Sequence, residues 1–341
     1  MSDIVAASPS AAATPSPGTF GQRLRARLVG AGARLLIILP EGPVNALADA
    51  AGELLYRSDK ARAERARRNF RRVAEGLQAR DLGSARVRAA ATNDRALERI
   101  VRSAFRHFVR SYLDMARLPA QSGADLQDKL IVDTPEAVEE AFSVPGPLIF
   151  VALHFGAVEY PALYAAARTG TTVTAPMETL EDPALQAWIV RSRGSVGIEF
   201  VTLREARRAL TAALERGRPI GIVADRNVAG GTIDVPFFGV KAPLPMGPGL
   251  LAIEHGLPIW VAAVRRTRDG RYRGSLRRVE VPAEGTRRAR LTAAMAGMAR
   301  AMEESVAEAP EQWWAAFSPI WPDLDPEARA GSGKLEPEAA A

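Results

Sequence analysis

The chain has 341 residues, 47% hydrophobic and 25% charged, which is enough apolar matter for one large or two ordinary globular domains with an ample core. A formal net charge of +6, carried by arginine, points to anionic partners; nucleic acid, an anionic membrane surface and a phosphorylated cofactor all satisfy it. The lack of cysteine excludes disulfides, thiol nucleophiles and cysteine-ligated metal centres, and with only His107, His154 and His255 no histidine-rich metal site is expected.

Residues 1–19 are Ala, Ser, Pro and Thr with little charge, a composition that buries too little to offset ordering, and they read as a disordered tail. From Phe20 to Leu39, Arg23, Arg25, Arg27 and Arg34 alternate with Leu24, Leu28, Leu35, Leu36 and Ile38, the pattern of a cationic amphipathic helix. Such a helix either packs on the core or lies in a membrane interface with its arginines near lipid phosphates. It does not span: Leu28 to Leu39 is interrupted by Arg34 and stopped by Pro40, short of the roughly 20 apolar residues that a crossing needs. No secretory signal is expected either. Helices are predicted over Glu41–Tyr56, over Asp59–Leu77 with Arg62, Arg65, Arg67, Arg68, Arg71 and Arg72 as a solvated basic row, and over Asn93–Leu118, ended by Pro119.

Beyond residue 145 the pattern changes. Leu148–Leu153 is a short apolar run between Pro145-Gly146-Pro147 and Gly156, the bracketing of a buried parallel strand. It is followed by helix Tyr160–Arg168, strand Thr172–Ala175, helix Pro183–Gly194, strand Glu199–Thr202, helix Arg204–Arg216 and strand Pro219–Val223. This is a βαβ alternation. Strand Pro258–Arg265 then enters a hairpin at Arg268-Asp269-Gly270, and helix Thr286–Ala307 precedes the aromatic segment Trp313 to Trp321. The expected fold is α/β, with a mixed, mostly parallel central sheet flanked by helices and a helical N-terminal third. Residues 20–325 are taken as one domain, with a helical membrane-proximal part (20–119) and an α/β catalytic part (145–323); residues 326–341 read as a second disordered tail.

The candidate chemistry sits at strand ends. His154 closes the first strand, and in open α/β sheets the carboxyl edge is where ligands bind. A neutral imidazole there takes a proton from a hydroxyl near pH 7, and a carboxylate on its other nitrogen fixes the tautomer. Glu159 is the carboxylate expected to do so, an arrangement that requires the chain to turn at Phe155-Gly156, since residues five apart do not share a helix face. The bland alternative is a satisfied buried histidine. Asp225-Arg226-Asn227 repeats the pattern after Ile222-Val-Ala. Gly247 to Gly249, ahead of a helix, offer either backbone donors to a phosphate or close packing, and Phe237-Phe238 are either core or an apolar wall for an acyl chain.

His154-Phe-Gly-x-x-Glu159 resembles the H-x4-D/E signature of glycerolipid and lipid A acyltransferases. Over Phe20 to Asp323 the sequence is similar to the bacterial family of lipid A lauroyl/myristoyl and phosphatidylinositol mannoside acyltransferases. The matching residues are Leu39-Pro40-Glu41-Gly42, Arg68-Asn69-Phe70, Tyr112 to Pro119, His154 to Glu159, Glu178-x-Leu180, Arg193 with Gly197-Ile-Glu199, Ala224-Asp225-Arg226, Phe237-Phe238-Gly239, Pro245-x-Gly247 and Ala309-Pro310-Glu311-Gln312. The Leu-Pro-Glu-Gly, Arg-Leu-Pro and Ala-Asp-Arg stretches look closer to the mannoside branch, and Ala-Pro-Glu-Gln to the lipid A branch. Ala157 and Val158 depart from the Asn and Trp common in the family, Glu159 from the Asp usual in the mannoside branch, and Pro236 from a common acidic residue; these bear on acceptor shape.

The resemblance implies a glycerolipid acyltransferase-like fold and transfer of a long-chain acyl group from a thioester to a glycolipid hydroxyl, phosphatidylinositol mannoside-like in preference to lipid A-type. His154 would be the base and Glu159 its orienting partner. Glu178 and Arg193 would belong to the polar groove, Asp225 and Arg226 to its floor, and Phe237 and Phe238 to the donor side. It further implies acyl-CoA or acyl carrier protein as co-substrate, no cofactor and no metal, no nucleic acid partner, and a monomer peripheral to the cytoplasmic face of the inner membrane. A catalytically silent basic module docking on membrane or nucleic acid is the competing class, and it would need no histidine.

Overall fold

The computed structural model describes residues 19–118, 129–228 and 230–325. The tails expected over 1–18 and 326–341, and the helix-ending Pro119, lie outside the described residues. Thr19, assigned above to the tail, is instead a helix cap: its hydroxyl accepts from the Gln22 amide at 3.3 Å while the Gln22 side chain accepts from the Thr19 amide at 2.7 Å.

Five helices form the N-terminal part: α1 (Phe20–Ile38), α2 (Glu41–Ser58), α3 (Lys60–Ala79), α4 (Ala85–Arg88) and α5 (Asp94–Arg117). Asp59 caps α3 and Asn93 caps α5 through their carboxylate and amide oxygens. α3 buries Ala63, Ala66, Phe70, Val73, Ala74 and Leu77, one stripe at helical spacing. Its basic row is not simply solvated. Arg65 pairs with Asp325, Arg67 with Glu98, Arg71 with Asp94 and Arg72 with Asp323. α1 behaves differently: it packs on α5 through small residues, burying only Ala26 and Ala33, and leaves Leu24, Leu28, Leu35 and Ile38 exposed. No helix among the described residues is long and apolar enough to cross a membrane.

The rest of the chain runs β1 (Leu130–Val132), α6 (Pro135–Phe142), β2 (Ile149–Ala152), α7 (Tyr160–Thr169), β3 (Val173–Met177), α8 (Pro183–Gly194), β4 (Ile198–Thr202), α9 (Ala206–Glu215), β5 (Ile220–Val223), β6 (Thr232–Phe237), β7 (Val240–Pro245), α10 (Gly247–His255), β8 (Ile259–Arg266), β9 (Tyr272–Val279) and α11 (Arg287–Glu308). Seven strands make one sheet in the order β1-β9-β8-β2-β5-β3-β4, parallel except for the β8–β9 hairpin. Alternate residues of β2 and β8 feed opposite faces. Ile149, Val151, Ile259 and Val261 meet α9, α10 and α11, whereas Phe150, Trp260 and Ala262 meet α6 and α7. Burial on both faces is why these strands read as unbroken apolar runs. The first of these core clusters continues into α3 and α5, joining the N-terminal helices to the sheet.

Five elements, β1, α4, α6, β6 and β7, have no counterpart among those expected from the sequence. β1 is only three residues long, and α6 is a short helix with Pro135 in its first turn. The β6–β7 ladder carries Pro236, Pro243 and Pro245, which argue against a central strand. A two-stranded ladder tolerates them because each strand keeps a free edge. Its turn, Phe238-Gly239, has positive φ at both residues (51° and 82°), the primed geometry of a tight hairpin.

Candidate active site

The register of the sheet decides which carboxylate faces His154. β2 and β5 are parallel neighbours with Ala152 opposite Val223, and the ladder continues one step as the Ala224 amide bonds the Ala152 carbonyl at 3.2 Å. Two residues beyond each strand's end stand His154 and Asp225. His154 Nδ1 lies 2.6 Å from Asp225 Oδ1, and the His154 backbone amide donates to Asp225 Oδ2 at 2.8 Å. A third donor comes from the far end of the chain, where the Trp313 indole Nε1 donates to Asp225 Oδ2 at 2.7 Å.

Asp225 is fully buried. Burial alone would push its carboxyl up, but the facing His154 ring and the three donors outweigh that and hold it below the usual carboxylate range. An ionised Oδ1 is only an acceptor, so in the neutral ring the proton belongs on Nδ1 and the lone pair on Nε2. The ring is further confined by Trp314, whose indole meets it edge-on at 4.4 Å and whose amide donates to the His154 carbonyl at 2.9 Å.

The turn after His154 depends on one glycine. Gly156 has φ 51°, its amide bonds the Gln312 carbonyl at 3.0 Å, and a Cβ there would stand 2.1 Å from the Val264 carbonyl oxygen. Here the expected turn exists, yet it does not deliver Glu159 to the histidine. The position that Glu159 was expected to fill, beside Nδ1, is taken by Asp225. Glu159 accepts from Arg193 instead, at 2.7 Å from Nη2 and 3.2 Å from Nε, in a pair whose side chains are 13% and 6% exposed.

Glu178, just beyond β3, pairs with Arg226, just beyond β5, at 2.5 Å. His154, Glu178, Asp225 and Arg226 thus all follow the carboxyl ends of neighbouring parallel strands, where loops leave room for a ligand. Phe237 and Phe238 are buried, packed on Trp313 and Trp321, and form core behind the site rather than an open wall for an acyl chain. At the start of α10, close packing accounts for Gly249, since a Cβ would lie 2.7 Å from Leu291. Trp313 and the orienting role of Asp225 were missed; the only signal was that two strands both end in a polar residue, which would have paired them had the strand order been known. Among the described residues no group of His, Cys, Asp or Glu could hold a metal ion.

A pleated α/β sheet that presents a carboxylate-backed histidine at its carboxyl edge, with no serine bonded to it among the described residues and no cysteine in the sequence, suits base-assisted transfer to a hydroxyl brought by the substrate. Residues 84–317, more than half of the chain, match the family model of bacterial lipid A biosynthesis acyltransferases. The chain belongs to that family and is an acyltransferase. It is also similar to a phosphatidylinositol mannoside acyltransferase of Mycolicibacterium smegmatis, with 26% identity over 239 residues, 69% of this chain and 76% of that protein. A phosphatidylinositol mannoside acyltransferase of Mycobacterium tuberculosis is 25% identical over 153 residues; that match spans 43% of this chain and about half (48%) of the relative.

Proposed function

We propose that this protein transfers a long-chain acyl group from an acyl thioester to a hydroxyl of a membrane glycolipid, with His154 as general base. The observation that carries the reading is the buried Asp225 carboxylate on His154 Nδ1, which leaves Nε2 free for the acceptor. Nε2 takes the hydroxyl proton as the oxygen attacks the thioester carbonyl; Asp225 stabilises the resulting imidazolium; collapse of the tetrahedral species expels the thiolate, which recovers the proton from His154. The Arg226–Glu178 pair supplies a polar wall beside this edge. The reaction so written draws on no metal or cofactor.

A phosphatidylinositol mannoside-like acceptor is favoured by the names of the similar mycobacterial proteins, with acyl-CoA as donor. A lipid A-type acceptor with acyl carrier protein is the second reading, favoured by the name of the matched family. The exposed leucines of α1 support a peripheral position on the cytoplasmic face of the inner membrane, where such thioesters are found. Purified protein would be supplied with either donor and with either acceptor in vesicles, and products read by mass spectrometry. His154→Ala and Asp225→Asn are each expected to lower the transfer rate by about 10²–10⁴ with the far-UV spectrum retained for His154→Ala. Turnover of His154→Ala near the wild-type rate would overturn the assignment.

A further inference from the structure

Asp225 is fixed by a residue that lies 88 positions away in the chain. Its Oδ1 serves the His154 ring, and its Oδ2 is shared by the His154 amide and the Trp313 indole N–H. Trp313 is itself fully buried and is tied to the same strand end from several sides. Phe155 and Trp313 form an isolated antiparallel bridge, the Gln312 carbonyl accepts from the Gly156 amide at 3.0 Å, and the Trp314 amide donates to the His154 carbonyl at 2.9 Å. Gln312 anchors the segment on β8, exchanging hydrogen bonds with the Arg266 amide and carbonyl at 2.8 Å each. The segment that follows α11 therefore reaches the site through a one-residue bridge between two 3-10 turns, and among the described residues its indole is the one donor to the Asp225 carboxylate that does not come from His154.

We propose that Trp313 is a positioning residue for acyl transfer, its indole N–H holding the Asp225 carboxylate in the orientation that keeps His154 Nδ1 occupied and Nε2 directed to the acceptor. The kinetic consequence rests on the acyl-transfer reading; the structural coupling does not. An indole donor on Oδ2 also draws charge from the carboxylate. Removing it leaves a more basic Asp225–His154 pair, which then takes its second proton at higher pH. The other charged groups at this edge, Arg193 with Glu159 and Arg226 with Glu178, are paired with one another.

Trp321 provides the control. It is equally buried in the same aromatic cluster, but its Nε1 donates to the Phe237 carbonyl at 3.3 Å and not to the site. Wild type, Trp313→Phe and Trp321→Phe would be compared by the pH dependence of kcat/KM and by nuclear magnetic resonance of the histidine rings, where loss of one signal in His154→Ala makes the assignment among three histidines. Trp313→Phe is expected to move both the acid limb and the His154 ring titration upward by roughly half to one pH unit. Trp321→Phe, even if comparably destabilised, should move neither. In the wild type the Trp313 indole N–H resonance should follow the same titration as His154, a measurement that stands even if Trp313→Phe does not fold. Equal midpoints in wild type and Trp313→Phe, equal shifts in both variants, or an indole resonance indifferent to the titration would overturn the inference. If the wild type transfers no acyl group, the functional reading fails, and the resonance titration still decides the role of Trp313.

Discussion

Arg193 clasps Glu159 from inside the protein: both its Nε and Nη2 reach one carboxylate oxygen, and neither side chain is more than 13% exposed. A pair so enclosed is held by mutual compensation. Removing one partner strands the other, at a cost of about 3–5 kcal/mol, whereas removing both is far cheaper. Glu159→Gln should therefore lower the unfolding midpoint markedly, and Glu159→Gln combined with Arg193→Met should recover much of the loss. Its activity loss should track the folded fraction, unlike that of Asp225→Asn. Denaturant titrations of the single and double variants check this, and a wild-type unfolding midpoint for Glu159→Gln with a collapsed rate would instead make Glu159 chemical.

His107 offers a different dependence. It lies half-buried on α5 with its Nδ1 enclosed, and the loss of solvent together with Arg266, Arg110 and Arg106 lowers its pKa from 6.5 to about 3. The folded protein holds this ring neutral while the unfolded chain protonates it below 6.5. The unfolded state thus binds more protons across that window, and stability is full above about 6.5 and falls as pH drops toward 3, by at most about 1.4 kcal/mol per pH unit. His107→Gln should flatten the stability profile between pH 4 and 6.5 relative to wild type, measured as denaturant midpoints at fixed pH. Parallel profiles would show that His107 does not carry the acid sensitivity.

How much of this was legible beforehand follows from the range of each interaction. The helices α2, α3, α5 and α11 and the strands β2, β5 and β8 declare themselves through periodicity, a local property, and match the expected spans to within a few residues. His154 stood out for the same reason. Its partner did not, because the spacing to Glu159 is a statement about one stretch of chain, while the bond to Asp225 is set by the pairing of β2 with β5 across two intervening strands in sequence. Trp313 is further removed still, brought in by a bridge to Phe155 that has no sequence signature. The arginines of α3 read as a solvated face because their acidic partners, Glu98, Asp323 and Asp325 among them, belong to other elements.

On the function proposed above, α1 is the element that would meet the membrane. Leu24, Leu28, Leu35 and Ile38 recur at helical spacing and are 46%, 64%, 57% and 79% exposed, and Leu47 and Leu54 of α2 are 70% and 69% exposed. Among the described residues these side chains belong to none of the core clusters, so replacing them should spare the fold. Arg27 and Arg34 are also exposed, and an arginine near an anionic leaflet contributes about 1 kcal/mol that salt screens. Arg25 is less informative, since it lies 3.5 Å from Asp182. Each leucine withdrawn from the acyl boundary costs about 1.5–3 kcal/mol. Leu28→Glu with Leu35→Glu should therefore weaken sedimentation with anionic vesicles by two or more orders of magnitude, roughly 3–6 kcal/mol, while leaving the unfolding midpoint within about 1 kcal/mol of wild type. Transfer to a vesicle-borne acceptor should fall in step, and transfer to a detergent-dispersed acceptor should not. Full sedimentation of the double variant at physiological salt would assign the contact to another face of the protein.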